Sequence, residues 1–168
     1  MLERVAGEEG SPIIARLEQA FRDTYDLTGY RDTAAYPLLH DALSRLRATD
    51  HSLVLVTNKR RVPTLKILEL LDVAHEFDAV YTVDSFPPER LSKSQLIARA
   101  LNELPGVAIA NAVMVGDTRE DQSASVANSV AFIAVTYGYG FSPSDLVAED
   151  TPTIGALAEL PAAVARLI

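Results

Sequence analysis

Residues 112–121 read AVMVGDTRED, and this stretch is the most informative part of the chain about its fold. The first four residues form a continuous apolar run, which is typical of a strand buried on both faces of a parallel sheet. Gly116 permits a close turn directly after this run, and a helical pattern follows at residues 120–128. The stretch therefore predicts a strand, a tight turn and a helix.

Three more apolar runs predict further strands, at residues 53–56, 79–83 and 130–135. Helical patterns lie between the predicted strands, at residues 65–71, 95–104 and 120–128. Alternation of strands and helices implies right-handed crossovers between parallel strands. We therefore expect an α/β fold, a three-layer Rossmann-like parallel sheet with flanking helices.

Two helices are predicted before the first strand. Ser11-Pro12 suits a helix N-cap and first helical position, and apolar residues from Ile13 to Tyr25 then recur at helical spacing. A second amphipathic pattern follows Tyr36-Pro37.

Composition restricts the class of protein. The 168 residues are 48% hydrophobic, enough for one substantial core but not for two ordinary domains. A net charge of −8 disfavours binding to nucleic acid or to an anionic membrane. The chain has no cysteine, and residues 1–10 do not resemble a secretion signal. We therefore predict a cytoplasmic protein.

Polar residues follow two of the predicted strands, at the edge of the sheet where ligands bind in this type of fold. Thr57 and Asn58 follow the first strand, and their hydroxyl and amide groups suit phosphate oxygens. The alternative is a helix N-cap. Asp117 and Asp121 follow the third strand, and their carboxylates suit Mg²⁺. Their alternative role is to stabilise the N-terminus of a helix.

Lys93 precedes a predicted helix and could bring an ammonium group to the same edge, although a lone lysine is usually solvated. The order of Thr57-Asn58, Lys93 and Gly116-Asp117 with a further aspartate resembles three of the four motifs of haloacid dehalogenase-like hydrolases. The run Tyr137-Gly138-Tyr139-Gly140 resembles the phosphoglycolate phosphatase-like branch of that family. The resemblance extends from about residue 21 onward.

This resemblance implies a magnesium-dependent phosphatase that acts on a small phosphorylated metabolite through an aspartyl-phosphate. By position, Thr57 and Asn58 would bind the phosphoryl group, and Lys93 would neutralise it and orient the nucleophile. Asp117 would bind Mg²⁺ directly, and Asp121 would support the metal through water or through Lys93. The implied catalytic residues are thus Lys93, Asp117 and Asp121, and the implied metal residues are Asp117 and Asp121.

The family's first motif, a strand ending in Asp-x-Asp, is not found in the 168 residues. Asp23 and Asp26 have the wrong spacing, and Asp84 follows a strand without a second aspartate. By resemblance, the lacking strand would be the central one, between those at 53–56 and 112–115. We therefore expect a partial helical cap at residues 1–34 and, at residues 35–168, a core that lacks its first strand.

Four explanations fit the lacking motif: a start codon assigned too far downstream, a truncated phosphatase, a pseudoenzyme, or a core completed by a strand from a second chain. A homodimer is one form of the last possibility. Of the four, a fragment of a longer phosphatase is the one we favour. We expect a phosphatase that is inactive as this chain alone. The alternative is a noncatalytic domain that binds phosphate or another protein.

Overall fold

The computed structural model describes residues 12–104, 106–141 and 151–168. The predicted N-cap Ser11 lies outside the described residues. The helices are α1 (Pro12–Leu27), α2 (Leu39–Arg47), α3 (Arg61–Leu70), α4 (Lys93–Glu103), α5 (Arg119–Ala127) and α6 (Leu160–Val164). The strands are β1 (Val54–Thr57), β2 (Ala79–Thr82), β3 (Val113–Gly116), β4 (Ala131–Val135) and β5 (Thr153–Ile154). Short 3-10 helices occupy Gly29–Asp32, Ala74–Glu76, Ile109–Asn111 and Leu157–Glu159.

The predicted α/β architecture is confirmed. All strand pairs are parallel, and each of the four predicted strands is present with its ends shifted by at most one residue. The two helices predicted before the first strand are α1 and α2. The sequence did not predict β5 or α6, which are two and five residues long.

The strands form two separate sheets. β1 pairs with β2, starting at Val54 opposite Ala79, and β3, β4 and β5 form the second sheet in that order. β3 begins opposite β4 with Val113 beside Ala131. Among the described residues, β1 and β3 therefore each have one edge without a strand partner.

A largely apolar cavity of about 580 Å³ lies between the two sheets. Side chains of both edge strands line it, including Leu55 of β1 and Met114 of β3. Helices α2, α4 and α6 contribute further lining residues, among them Leu46, Ile97 and Val164. The cavity thus separates the unpaired edges of β1 and β3.

Apolar clusters on both faces of the two sheets form the core. Ile133 of β4 is fully buried and packs with Leu46 of α2 and Leu160 of α6. On the other side, the fully buried Leu96 of α4 packs with Tyr81 of β2. Helices therefore cover both faces, as expected for parallel strands.

Helix α1 is held against the start of α3 by three polar contacts. Arg60 donates to the Asp26 carboxylate at 2.6 Å, and Lys66 donates to the Asp26 carbonyl at 2.6 Å. The Lys59 ammonium donates to the Tyr25 hydroxyl at 2.7 Å. These cations lie near the carboxyl end of α1, where the helix dipole favours positive charge. None of the helices in the described ranges is both long and apolar enough to cross a membrane.

Candidate functional site

A side-chain hydrogen bond joins the segments that directly follow β1 and β3. Asn58 lies just after β1, and its side-chain amide donates to the Glu120 carboxylate at 2.7 Å. Glu120 lies in the first turn of α5, which follows β3. This contact brings the predicted residue Asn58 to the helix that carries the predicted residue Asp121.

Thr57 and Asn58 do not cap a helix. Helix α3 begins at Arg61, and its N-cap is Arg60 without a side-chain hydrogen bond. The Thr57 hydroxyl instead accepts a hydrogen bond from the Lys59 backbone N–H at 3.1 Å. The alternative role that the sequence allowed for this pair is therefore not the one observed.

Lys93 is not a solvated lysine. Its ammonium donates to the Asp121 carboxylate at 2.5 Å, and the two side chains are 12% and 6% exposed. Lys93 is the first residue of α4, whose N-terminus is fixed by a capping box between Ser92 and Gln95. The cap thus determines where the buried ammonium group lies.

Asp121 has two roles in this structure. One carboxylate oxygen accepts from Lys93, and the other accepts from the Thr118 backbone N–H at 3.1 Å and from the Thr118 hydroxyl at 2.7 Å. The capping role that the sequence allowed is therefore real, and it coexists with the ion pair. Gly116 makes room for this arrangement, because a Cβ atom there would lie 2.5 Å from the Asp121 Cβ.

Asp117 lies between the end of β3 and the N-cap Thr118, so it is not part of α5. Its Oδ2 atom accepts a hydrogen bond from the Tyr139 backbone N–H at 2.9 Å. The Tyr139 side chain is 97% exposed, so its contribution to this contact comes from the main chain alone.

Tyr36 connects the turn at residues 137–140 to the segment that precedes α2. The Tyr36 hydroxyl donates to the Tyr137 carbonyl at 3.3 Å, and the two rings pack edge to face at 4.8 Å. Burial raises the pKa of Tyr36, with smaller contributions from Tyr139 and from the Asp117 charge. Burial also raises the pKa of Tyr137.

The carboxylates at this site are chemically compatible with Mg²⁺. Asp121 belongs to the helix cap and Glu120 accepts from Asn58, whereas Asp117 belongs to neither contact. Within the described ranges, no group of three or more His, Cys, Asp or Glu residues could hold a metal ion. Mg²⁺ nevertheless often binds one or two carboxylates and takes its other ligands from water and phosphate. Asp117 could hold the ion in this way, while Asp121 is already engaged by Lys93 and Thr118.

The aspartates rejected as nucleophiles have structural partners. Asp84 accepts from the Arg61 backbone N–H and from the Thr82 hydroxyl, each at 2.8 Å, and so supports the start of α3. Asp26 pairs with Arg60, and Asp23 accepts from Gln19.

Sequence reasoning missed Glu120 and the main chain of Tyr139 as parts of the site. Glu120 could have been noted, since it lies between Asp117 and Asp121. The backbone N–H of Tyr139 leaves no signal in a side-chain pattern.

Sequence comparison with curated proteins indicates the family of this chain. The phosphoglycolate phosphatase of Neisseria gonorrhoeae is 34% identical in an alignment of 141 positions that covers 78% of this chain and 58% of the relative. That of Nitrosospira multiformis is 32% identical over 133 residues, which is 79% of this chain and 58% of the relative. The chain thus spans a little over half the length of these curated relatives.

Solved structures agree in fold. A predicted phosphatase from Clostridium acetobutylicum superimposes with a TM-score of 0.84 at 25% identity, over 98% of this chain and 75% of the other. A predicted phosphoglycolate phosphatase from Haemophilus somnus has a TM-score of 0.76 at 20% identity, over 94% and 70% of the two chains, and shows the fold alone. The family described as haloacid dehalogenase-like hydrolase matches residues 5–135. The chain belongs to the haloacid dehalogenase-like hydrolase family.

Proposed function

We propose that this chain carries the phosphate-binding and magnesium-binding part of a phosphate monoester hydrolase of the phosphoglycolate phosphatase type. The observation that carries the proposal is the buried Lys93–Asp121 ion pair beside Asp117, with Asn58 reaching the same helix from β1. A buried cation surrounded by hydrogen-bonding groups at the carboxyl ends of parallel strands is suited to bind a phosphate dianion.

In the proposed reaction, Thr57 and Asn58 hydrogen-bond the oxygens of the phosphoryl group. Lys93 stabilises the negative charge that these oxygens carry in the transition state, and it does so from a fixed position because α4 is capped at Ser92. Asp117 would hold Mg²⁺, which when bound supplies Lewis-acid polarisation of a phosphoryl oxygen. Asp121 keeps the Lys93 ammonium in place.

The proposal divides the chain into a partial helical cap at residues 1–34 and a catalytic core at residues 35–168. Support comes from the contacts of α1 with Lys59 and Arg60, directly after the proposed phosphate-binding residues. A cap in this position could cover the substrate.

We place the activity in the cytoplasm, since a chain without cysteine has no disulfide that requires an oxidising compartment.

The proposed nucleophile reaches the site on an extended apolar segment that lies between β1 and β3 and ends in Asp-x-Asp, either in the same polypeptide as these residues or in a second chain. A four-residue strand, at 3.3 Å per residue, 4.8 Å between strands and a sheet thickness of 10 Å, occupies on the order of 600 Å³. The cavity of about 580 Å³ is of the same order, and its lining is largely apolar. Both edge strands could also offer backbone hydrogen bonds to such a segment, as in β-augmentation.

Hydrolysis of p-nitrophenyl phosphate tests the proposal. The 168-residue chain is assayed with and without Mg²⁺ and with a synthetic peptide of four apolar residues followed by Asp-x-Asp-x-Thr. We expect background turnover by the chain alone and magnesium-dependent turnover with the peptide. A peptide with Asn in place of both Asp residues, and the Asp117→Ala chain, should each abolish the turnover. Turnover by the chain without peptide that needs Asp117 would show that a carboxylate of this chain is the nucleophile.

Small phosphorylated metabolites are the proposed substrate class, and phosphoglycolate is the first to test because the curated relatives bear that name. Caps determine substrate choice only through their own side chains, so fold alone does not select among phosphate esters. A panel of small phosphate monoesters, assayed with the peptide-completed protein, measures the preference.

A noncatalytic phosphate-binding or protein-interaction domain is the second candidate function. It is favoured by one observation, that the 168 residues contain no Asp-x-Asp sequence. This role predicts binding of inorganic phosphate by the chain in calorimetry, weakened by Lys93→Met, with no turnover under any peptide condition.

A further inference from the structure

The turn that follows β4 is held at both of its ends. Tyr137 packs against the cluster of Leu46 and Ile133 and accepts the Tyr36 hydroxyl. At the other end, the buried Phe141 packs against Phe132 of β4. A turn fixed in this way can present its main-chain groups at a defined position.

The middle of the 137–140 turn lies so close to Asp117 that a side chain on Gly138 or Gly140 would clash with it. A Cβ atom on Gly138 would lie 2.2 Å from the Asp117 Cβ and 2.4 Å from its Oδ2. A Cβ atom on Gly140 would lie 2.4 Å from the Asp117 carbonyl oxygen. Between the two glycines, the Tyr139 N–H donates to Asp117 Oδ2 at 2.9 Å.

We propose that the 137–140 turn is the positioning element for Asp117, and that it acts through the Tyr139 backbone N–H and the two glycines rather than through any side chain. The hydrogen bond fixes one carboxylate oxygen of Asp117. Gly138 has no side chain, so the turn can come close enough to Asp117 for this bond to form. Partners of this kind orient metal-binding carboxylates and raise their affinity for the ion.

Tyr36 extends this arrangement to the N-terminal region. Its hydroxyl bonds the Tyr137 carbonyl, so residues just before α2 contact the turn that contacts Asp117. The inference rests on the proposed function in one respect, namely that Asp117 binds Mg²⁺. The hydrogen bond and its geometry do not depend on that function.

Amide hydrogen exchange, followed by NMR, tests the hydrogen bond without metal or substrate. The Tyr139 amide should exchange slowly in the parent chain and in Asp117→Asn, which keeps a side-chain oxygen as acceptor. It should exchange rapidly in Asp117→Ala and in Gly138→Ala. Equal exchange rates in the parent chain and in Asp117→Ala would overturn the proposed contact.

Calorimetric titration with Mg²⁺ tests the positioning role. We expect Gly138→Ala to weaken binding about tenfold or more, the effect typical of removing a group that orients a metal ligand. Tyr139→Ala should bind as the parent does, since it retains the backbone donor. Gly155→Ala is the matched control, because its Cβ would lie 3.7 Å from the nearest atom, an ordinary contact.

Circular dichroism and thermal unfolding show whether each variant is folded. A folded Gly138→Ala that binds Mg²⁺ as tightly as Gly155→Ala would overturn the positioning role. If the parent chain binds no Mg²⁺, the metal part of the proposed function fails, and the exchange experiment still decides whether the turn fixes Asp117. Loss of binding in Tyr139→Ala would assign the role to the phenol and refute the main-chain proposal.

Discussion

Lys93 and Asp121 form the most deeply buried of the ion pairs seen among the described residues. Buried pairs add little net stability compared with apolar residues, but removing one partner leaves an uncompensated charge. Asp121 would keep its two hydrogen bonds from Thr118. A residue that we propose binds phosphate thus also affects folding.

Lys93→Met is expected to lower the free energy of unfolding by about 3 kcal/mol, because the Asp121 carboxylate stays buried without its cation. Urea denaturation at pH 7 measures the change. Arg45→Met is the matched control, because its pair with Asp41 is 3.8 Å long and half exposed. That control should cost less than about 0.5 kcal/mol. A similar small loss for Lys93→Met would show that the pair is not effectively buried.

The shifted pKa of Tyr81 predicts that the stability of the protein depends on pH in the alkaline range. Burial, together with the hydrogen bond to Glu103, raises the pKa of Tyr81 from 10.0 to about 12. The stability that this phenol contributes is fully present below pH 10, and it is lost as the pH rises through about 12. Urea midpoints between pH 9 and 12 should therefore fall more steeply for the parent than for Tyr81→Phe. Parallel curves for the two proteins would contradict the shift.

At the scale of single elements, helix α4 matters because its first residue is Lys93. The Ser92 hydroxyl accepts from the Gln95 backbone N–H at 3.3 Å, and the Gln95 side chain accepts from the Ser92 backbone N–H at 2.9 Å. These bonds satisfy two N–H groups at the start of the helix.

Ser92→Ala should lower the free energy of unfolding by about 1 kcal/mol, the usual cost of losing an N-cap. Ser92→Asp keeps an acceptor and should cost less than Ser92→Ala. Thermal unfolding of the three proteins makes the comparison. If Ser92→Ala and Ser92→Asp lose the same stability, the capping bond contributes nothing in solution.

The strands could be predicted because each is a short apolar run in a parallel sheet, where burial on both faces makes the pattern continuous. That Asn58 and the start of α5 lie at the same edge could be predicted, because residues that follow parallel strands gather at one edge of the sheet. Strand β5 could not be predicted from the sequence, because a strand of two residues has no periodic pattern. Nor could the contacts of Asn58 with Glu120 and of Asp117 with Tyr139, because they join residues 62 and 22 positions apart.

Considered as a whole molecule, the protein has a sheet divided by a cavity, with an unpaired edge on each side among the described residues. Exposed strand edges can pair with other chains. The net charge of −8 opposes such contacts by repulsion between copies. Salt screens this repulsion over about 10 Å at 0.1 M ionic strength.

We expect the chain to self-associate as its concentration rises, and more strongly at higher salt. Sedimentation velocity over a concentration series measures this. The Asp-x-Asp peptide should suppress association by occupying the two edges, whereas a scrambled peptide should not. A monomer at all concentrations and salt levels would mean that the edges are not available for pairing.

The exposed side chain of Tyr139 has an optical consequence. The chain contains no tryptophan, so Tyr139→Trp would introduce a single indole with emission free of any background from other indoles. Because residue 139 contacts Asp117 through its backbone N–H and its side chain is exposed, a change in brightness or wavelength would report events in the 137–140 turn. The same residue that donates to Asp117 through its main chain could thus serve as a fluorescent reporter through its side chain.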